Sequence, residues 1–242
     1  STVPRAFQER CLAKETIARY KVDVGVGDAK HQAKYPLFSP ESGEHLGNKV
    51  RYPDKQFSLE GEKGFLQKAG LFGRHAFPAG SAKAITVVEG QDDAMAAYQM
   101  MGSRYPVVSV HSSSTAADDV KRDFEYLNSF ETIVICMDAD DAGRMAANKI
   151  ANLPFPIGKL KVLNLREYND PNQYLIEKCA DKFTKEWWQA PERRPDGIKL
   201  GKDMLPEILD RSHSFSVPYP FEGLNKKTYG LRLSELTLIT AE

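Results

Sequence analysis

From residue 84 onward, short aliphatic and β-branched runs alternate with stretches in which apolar positions return every three or four residues. AITVVEG (84–90) predicts a buried strand, DDAMAAYQMMG (92–102) a helix ended by Gly102, and PVVSVHS (106–112) a second strand. Residues 113–130 offer Ser/Thr caps and place Val120, Phe124 and Leu127 at helical spacing. TIVICMD (132–138) then predicts a third strand, DAGRMAANKIANL (141–153) a helix, and LKVLNL (160–165) a fourth strand. Strict alternation of strand and helix means βαβ units, hence an α/β fold with a parallel sheet covered on both faces. Ligands bind such sheets at the carboxyl ends of the strands.

Residues 14–80 follow a different pattern. KYPLFSP and LGNKVRYP flank the turn-rich ESGEH as a β-hairpin would, and DKQFSLEGEKG and GLFGRHAFP follow, which predicts a small, mostly antiparallel α+β subdomain. After Gln189, APERRPDGIKLGK has the Pro, Gly and charge content of a linker. DMLPEILDRS (203–212) predicts a short amphipathic helix with Asp203 as N-cap, and LSELTLITAE a terminal strand. The expected division is a basic subdomain over 1–83, an α/β subdomain over 84–189, and a linker, helix and further strand over 190–242.

Lys+Arg and Asp+Glu balance at 33 each, so the total charge indicates neither a nucleic-acid coat nor a membrane-surface protein. The distribution is uneven: residues 1–83 hold 14 basic against 9 acidic side chains, and residues 84–153 hold 5 against 11. Cys11, Cys136 and Cys179 form neither a disulfide framework nor a CxxC zinc pattern, which suits a reducing cytoplasm. No apolar run approaches the roughly 18 residues of a membrane span, so a soluble protein without membrane contact is expected.

The candidate chemistry lies at the strand ends. Glu89-Gly90 closes the first strand, with Asp93 on the opening turn of the next helix, and Asp138-Ala139-Asp140 closes the third. Two apart on a strand, Asp138 and Asp140 share a face, and if the first strand is its neighbour Glu89 converges on them; Asp170 in the NDPNQ turn can join from the same edge. Hard oxygen ligands without His or Cys suit Mg²⁺ or Mn²⁺, two ions in a full site, and phosphoryl or nucleotidyl transfer; Glu89 can also accept the attacking proton. Taken singly, Asp92, Asp93, Asp140 and Asp141 are better read as helix caps or first-turn acids favoured by the helix dipole, and it is the pattern of two acidic strand ends facing one edge that shifts the reading toward a site. Asp141 in particular is expected to serve the helix, while Asp138 and Asp140 serve a metal.

VVEGQDDAMA and VICMDADDAGRMA resemble the two motifs of a TOPRIM domain, shared by primases, topoisomerases and some nucleases. The resemblance implies a TOPRIM α/β fold and makes Glu89, Asp138 and Asp140 the catalytic and metal-binding set, with Asp170 as a further ligand and Asp93 as a supporting acid on the nucleotide side. HSSST (111–115) departs from the glycine this family often carries after its second strand. RCLAKETIARYKVD, KVRYPDKQF, GLFGRH and NDPNQYL resemble, in order, the RNA polymerase domain of short-tailed-phage primase-helicases and of the related Twinkle proteins, and GLNKKTYGLRLSELTLITAE resembles the entry to their helicase domain.

That resemblance implies synthesis of short RNA primers on single-stranded DNA from ribonucleoside triphosphates during replication. The setting would be an infected bacterial cytoplasm, or an organelle matrix if the chain is Twinkle-like. Lys49, Arg51 and Lys55 are candidate phosphate contacts, as is Arg144; each is also read as an ordinary solvated side chain. Arg74 and His75 are weaker candidates. The zinc module and the hexameric helicase ring of such proteins are partners expected outside this sequence, because it holds no four-ligand zinc set and no G-x-x-x-x-G-K-[ST]; no zinc is expected in this chain. In ring helicases a helix like that at 203–212 packs on the neighbouring subunit. A TOPRIM nuclease and a non-catalytic DNA-binding or assembly module remain as alternatives.

Overall fold

The computed structural model describes residues 4–27, 29–54, 56–193 and 216–232, with residues 236, 238 and 240. The chain forms two compact units, residues 1–195 and 196–242. Lys55 and the helix expected at 203–212 lie outside the described residues.

The first unit opens with helix α1 (Lys14–Tyr20) and an antiparallel meander in the order β1 (Asp23–Val24), β2 (Ala33–Phe38), β3 (His45–Arg51) and β4 (Phe57–Gly61). The β2–β3 pair is the hairpin expected around ESGEH, with Tyr35 opposite Lys49 and a bulge at Leu37 and Phe38. Strand and helix then alternate: β5 (Ala84–Val88), α2 (Gln91–Met100), β6 (Val107–Ser109), α3 (Ala116–Arg122), α4 (Phe124–Asn128), β7 (Thr132–Cys136), α5 (Asp141–Ala151) and β8 (Leu160–Val162). The four strands make one parallel sheet in the order β6-β5-β7-β8, so β5 and β7 are neighbours, paired from Ala84 with Thr132 to Val88 with Cys136. Two helices not anticipated from the sequence, α6 (Pro171–Ile176) and α7 (Ala180–Trp188), follow. The helix expected over 113–130 is two helices, broken at Asp123.

The sheet is buried on both faces by alternating residues. Ala84, Val88, Val134 and Cys136 enter one core; Ile85, Val87, Ile133 and Ile135 enter the other. A strand whose side chains alternate between two apolar layers reads as a continuous apolar run, which is why β5 and β7 were legible in sequence. The first core extends into the amino-terminal region through Ile17, Tyr20, Tyr35, Leu37 and Phe72, so both subdomains share it. Phe72 exchanges two backbone hydrogen bonds of 3.0 Å with Ser109 at the β6 edge, covering backbone that an open edge would leave unpaired. The break at Asp123 has a related cause. Its buried carboxylate accepts from the Leu71 amide at 2.6 Å and pairs with Arg74, tying the GLFGRH segment to the far helices. Arg74 is thereby a structural cation.

The second unit contains a two-strand pair, Ser216–Val217 with Leu231–Arg232, around a short helix, Glu222–Thr228. Most of the terminal strand expected over 233–242 lies outside the described residues, and the described residues 236, 238 and 240 are in no strand. No described helix is long and apolar enough to cross a membrane.

Candidate active site

Because β5 and β7 lie side by side and end level, Glu89 and Asp138 leave the sheet at adjacent carboxyl ends. They border a cleft of about 450 Å³ that is also lined by Asp92, Asp93, Asp170 and Asn172, by Ser112 and Ser113 from the loop after β6, and by Arg10, Lys49, Arg51 and Phe57 from the amino-terminal subdomain. The acidic strand ends thus face the basic strand β3 across one opening. This is the juxtaposition expected of a phosphate-handling site.

The acids divide into two kinds. Glu89 Oε2 and Asp138 Oδ1 are buried and hydrogen-bonded to nothing. Burial raises the pKa of Asp138 to about 7, helped by the charges of Glu89, Asp170 and Asp140. Burial raises that of Glu89 too, while the Ser113 hydroxyl and the Asp138 amide pull it down. Two half-buried carboxylates with raised pKa values, each with an oxygen lacking a donor, fit a site completed by a cation. Among the described residues, no three His, Cys, Asp or Glu side chains stand close enough to form a finished ligand cage. The cation's shell would therefore need waters and substrate oxygens, as Mg²⁺ and Mn²⁺ shells normally do.

Asp140 and Asp170 are caps. The strand ends at Cys136, and Asp140 is the N-cap of α5, its carboxylate accepting from the Gly143 amide at 2.7 Å. The expectation that Asp138 and Asp140 share a strand face is therefore corrected, whereas Asp141 lies in the first turn of α5 and serves the helix as expected. Asp141 is fully out in solvent and pairs with Arg144. The reason is that the chain turns from strand to helix within four residues, so period-two geometry lapses before Asp140. Asp170 likewise caps α6, accepting from Gln173 N at 2.8 Å, but it lines the cleft. Asp140 does not, although its charge raises both Glu89 and Asp138.

Asp93 is buried and accepts from the Asn172 amide at 3.0 Å; burial, then the charges of Asp170 and Asp138, raise its pKa well above the usual range. It lines the floor of the cleft, held there by that bond. The sequence Glu-Gly-x-x-Asp has a steric basis here, since a Cβ on residue 90 would lie 2.2 Å from the Asp93 carboxylate. Asp92 is also structural: its carboxylate accepts from Tyr35 Oη at 2.6 Å and pairs with Arg10 Nε at 3.3 Å and Arg51 Nη1 at 3.4 Å. Lys49 reaches the same opening, donating to the His111 carbonyl at 3.1 Å, and its pKa is lowered by burial against the opposing pull of Asp92 and Glu89.

Lys49 and Arg51 thus both line the cleft that the acids border. Arg144 does not line that cleft: it is more than half exposed and borders an adjoining hollow of about 160 Å³ that Asp138 also lines. His75 lies apart, against Phe38, with its pKa lowered to about 4 chiefly by burial. Arg10, Asn172 and Phe57 were missed. Arg10 and Asn172 are joined by a 3.2 Å hydrogen bond across 162 positions of sequence, a pairing that no local pattern carries.

Gly143, in the DADDAGR run, packs against the turn that holds Asp138: a Cβ there would sit 2.1 Å from the Asp138 carbonyl oxygen. Gly143→Ala gains helix propensity but forces backbone apart at that turn, so a net loss of about 1–2 kcal/mol is expected. Thermal unfolding checks this, and an unchanged melting temperature would mean the turn yields freely.

Residues 86–175 match the family described as Toprim-like. Over 209 residues the chain is 31% identical to the DNA helicase/primase of Enterobacteria phage T3, a match covering 84% of this chain and 36% of that protein. The chain therefore spans about a third of that relative's length. The structure resembles the primase fragment of the bacteriophage T7 primase-helicase with a TM-score of 0.65 and 28% identity, over 76% of this chain and 74% of that one. It also resembles a T7 structure in which primase domains are bound to an RNA/DNA hybrid and dTTP beside the lagging-strand DNA polymerase (TM-score 0.66, 28% identity, 77% of this chain and 92% of that one).

Proposed function

This chain belongs to the TOPRIM primase domains related to the phage T3 and T7 primase-helicases, and on that premise we propose that it synthesises short RNA primers on single-stranded DNA in the cytoplasm of a phage-infected cell, as part of a primase-helicase. The observation that carries the proposal is one cleft in which Glu89 and Asp138, each with a buried carboxylate oxygen that has no hydrogen-bond partner, face Lys49 and Arg51.

In primer synthesis a 3′-hydroxyl attacks the α-phosphorus of a ribonucleoside triphosphate, a new P–O bond forms, and the bond to pyrophosphate breaks. TOPRIM domains typically depend on a divalent metal, and Mg²⁺ or Mn²⁺ would be held here by Glu89 and Asp138, with the helix caps Asp170 and Asp140 contributing charge. When bound, such ions neutralise phosphate charge and polarise the P–O bonds. Lys49 and Arg51 bind the triphosphate or the template backbone, and Glu89, with its raised pKa, takes the hydroxyl proton. Asp92 holds Arg51 and Arg10 in register, so the cations are positioned before substrate arrives. The zinc module and the helicase ring would belong to the larger assembly.

The test is direct. Incubated with Mg²⁺ or Mn²⁺, ribonucleoside triphosphates and a single-stranded template, with a zinc module added in trans, the chain makes short RNAs. Template cleavage without RNA product would instead identify a nuclease, and binding with neither product an assembly module.

A further inference from the structure

We propose that Phe57 is a base-stacking platform at the rim of the cleft, receiving one nucleobase of the nucleic acid or nucleotide whose phosphates lie on Lys49 and Arg51. The inference rests on the reading of this cleft as a nucleotide site. It goes beyond that reading by assigning the base, which the acids and cations do not address.

Three observations carry it. Phe57 lies on β4, the edge strand of the amino-terminal meander, directly opposite Arg51, and Leu59 lies opposite Lys49. Directly paired residues in an antiparallel sheet project to the same face, so the ring shares the cleft-facing side with both cations. The ring is also spare: it belongs to neither hydrophobic core, and it is 46% exposed while lining the cleft. Of the two phenyl rings that border the cleft, Tyr35 is buried and committed to Asp92, so Phe57 is the accessible one. Finally, the ring is braced. Lys49 Nζ stands 4.9 Å and Arg51 Cζ 5.4 Å from its centroid, within cation–π range, which holds it beside the charges that would take the phosphates. An exposed, oriented aromatic next to two phosphate-binding cations is the arrangement that grips single-stranded nucleic acid by base and backbone together.

The experiment compares Phe57→Ala, Phe57→Leu, Phe57→Tyr and Phe57→Trp with the wild-type chain. The probes are a fluorescent single-stranded DNA oligonucleotide, read by anisotropy without turnover, and ATP with Mg²⁺, read both by binding and as the KM in primer synthesis. Phe57→Ala and Phe57→Leu are expected to weaken one constant by roughly 5- to 100-fold. Phe57→Tyr should restore most of the loss, and Phe57→Trp should show saturable quenching beyond that of Trp187 and Trp188. A rise confined to ATP assigns the incoming nucleotide; a rise confined to the oligonucleotide assigns the template. If Phe57→Leu and Phe57→Ala both match wild type in both constants while primers are made, Phe57 is a mere apolar cover and the inference is overturned, with primer synthesis intact. If the Trp variant quenches with oligonucleotide and Phe57→Ala binds it weakly, yet wild type makes no primers, stacking stands and primer synthesis falls.

Discussion

Asp138→Asn is expected to abolish primer synthesis, lowering kcat by about 10²- to 10³-fold or more, while leaving single-stranded DNA binding intact or tighter. The substitution keeps the shape of the side chain and removes the charge that a cation needs. It also relieves strain already present in the site. The Asp138 pKa is raised to about 7 by burial and by neighbouring carboxylates, so its ionised form opposes folding. With a chelator present at pH 8, Asp138→Asn should therefore be more stable than wild type; Asp138 is only partly buried, so the full value of the shift does not apply and a gain of about 1–2 kcal/mol is expected. Asp141→Asn, whose carboxylate lies in solvent beside Arg144, serves as the matched control and should keep near wild-type activity. Activity and chemical denaturation on the two variants decide the matter. Full activity in Asp138→Asn, or lower stability under chelation, would remove Asp138 from the site.

Saturating Mg²⁺ or Mn²⁺ is expected to raise the melting temperature at pH 8 by about 5–10 °C, because a ligand at a hundred times its Kd adds about 2.7 kcal/mol to a chain of this size. The effect should depend on pH with a definite sign. Without metal, the folded state holds a proton on Asp138 up to pH 7, whereas the unfolded chain releases it near the ordinary Asp value. The folded state therefore binds more protons, and metal-free stability falls as pH rises between about 4 and 7. A cation must displace that proton, so the stabilisation it brings shrinks below pH 7 and is small at pH 5. Melting curves with and without chelator from pH 5 to 9 test this, alongside Asp138→Asn. An equal shift at pH 5 and pH 8, or in Asp138→Asn, would place the metal elsewhere.

The sequence carried much of this architecture in plain form. Strand β5 is buried at all five positions, and β7 nearly so, which made both visible as apolar runs between helix-period segments. The acids at their ends were visible because carboxylates directly after a buried run are costly without a partner. Helices α6 and α7 escaped notice. Pro171 at the helix start beside the Asp170 cap resembled a turn, and the amphipathic pattern that follows is short.

What the sequence determined by itself was the local order of elements, the chemistry at two strand ends and the basic pair on β3, because hydrophobic periodicity and side-chain spacing are properties of a few consecutive residues. Only the tertiary structure decided that β5 and β7 are neighbours, that Asp140 caps a helix while Asp138 faces the cleft, and that Asp92 pairs with both Arg10 and Arg51. It also decided that Phe57 stands at the cleft's rim. Each of these depends on where the chain turns and on which distant segment it meets, and side chains such as Arg10 and Asn172, 162 positions apart, are brought together by packing of the shared core, not by any pattern along the chain.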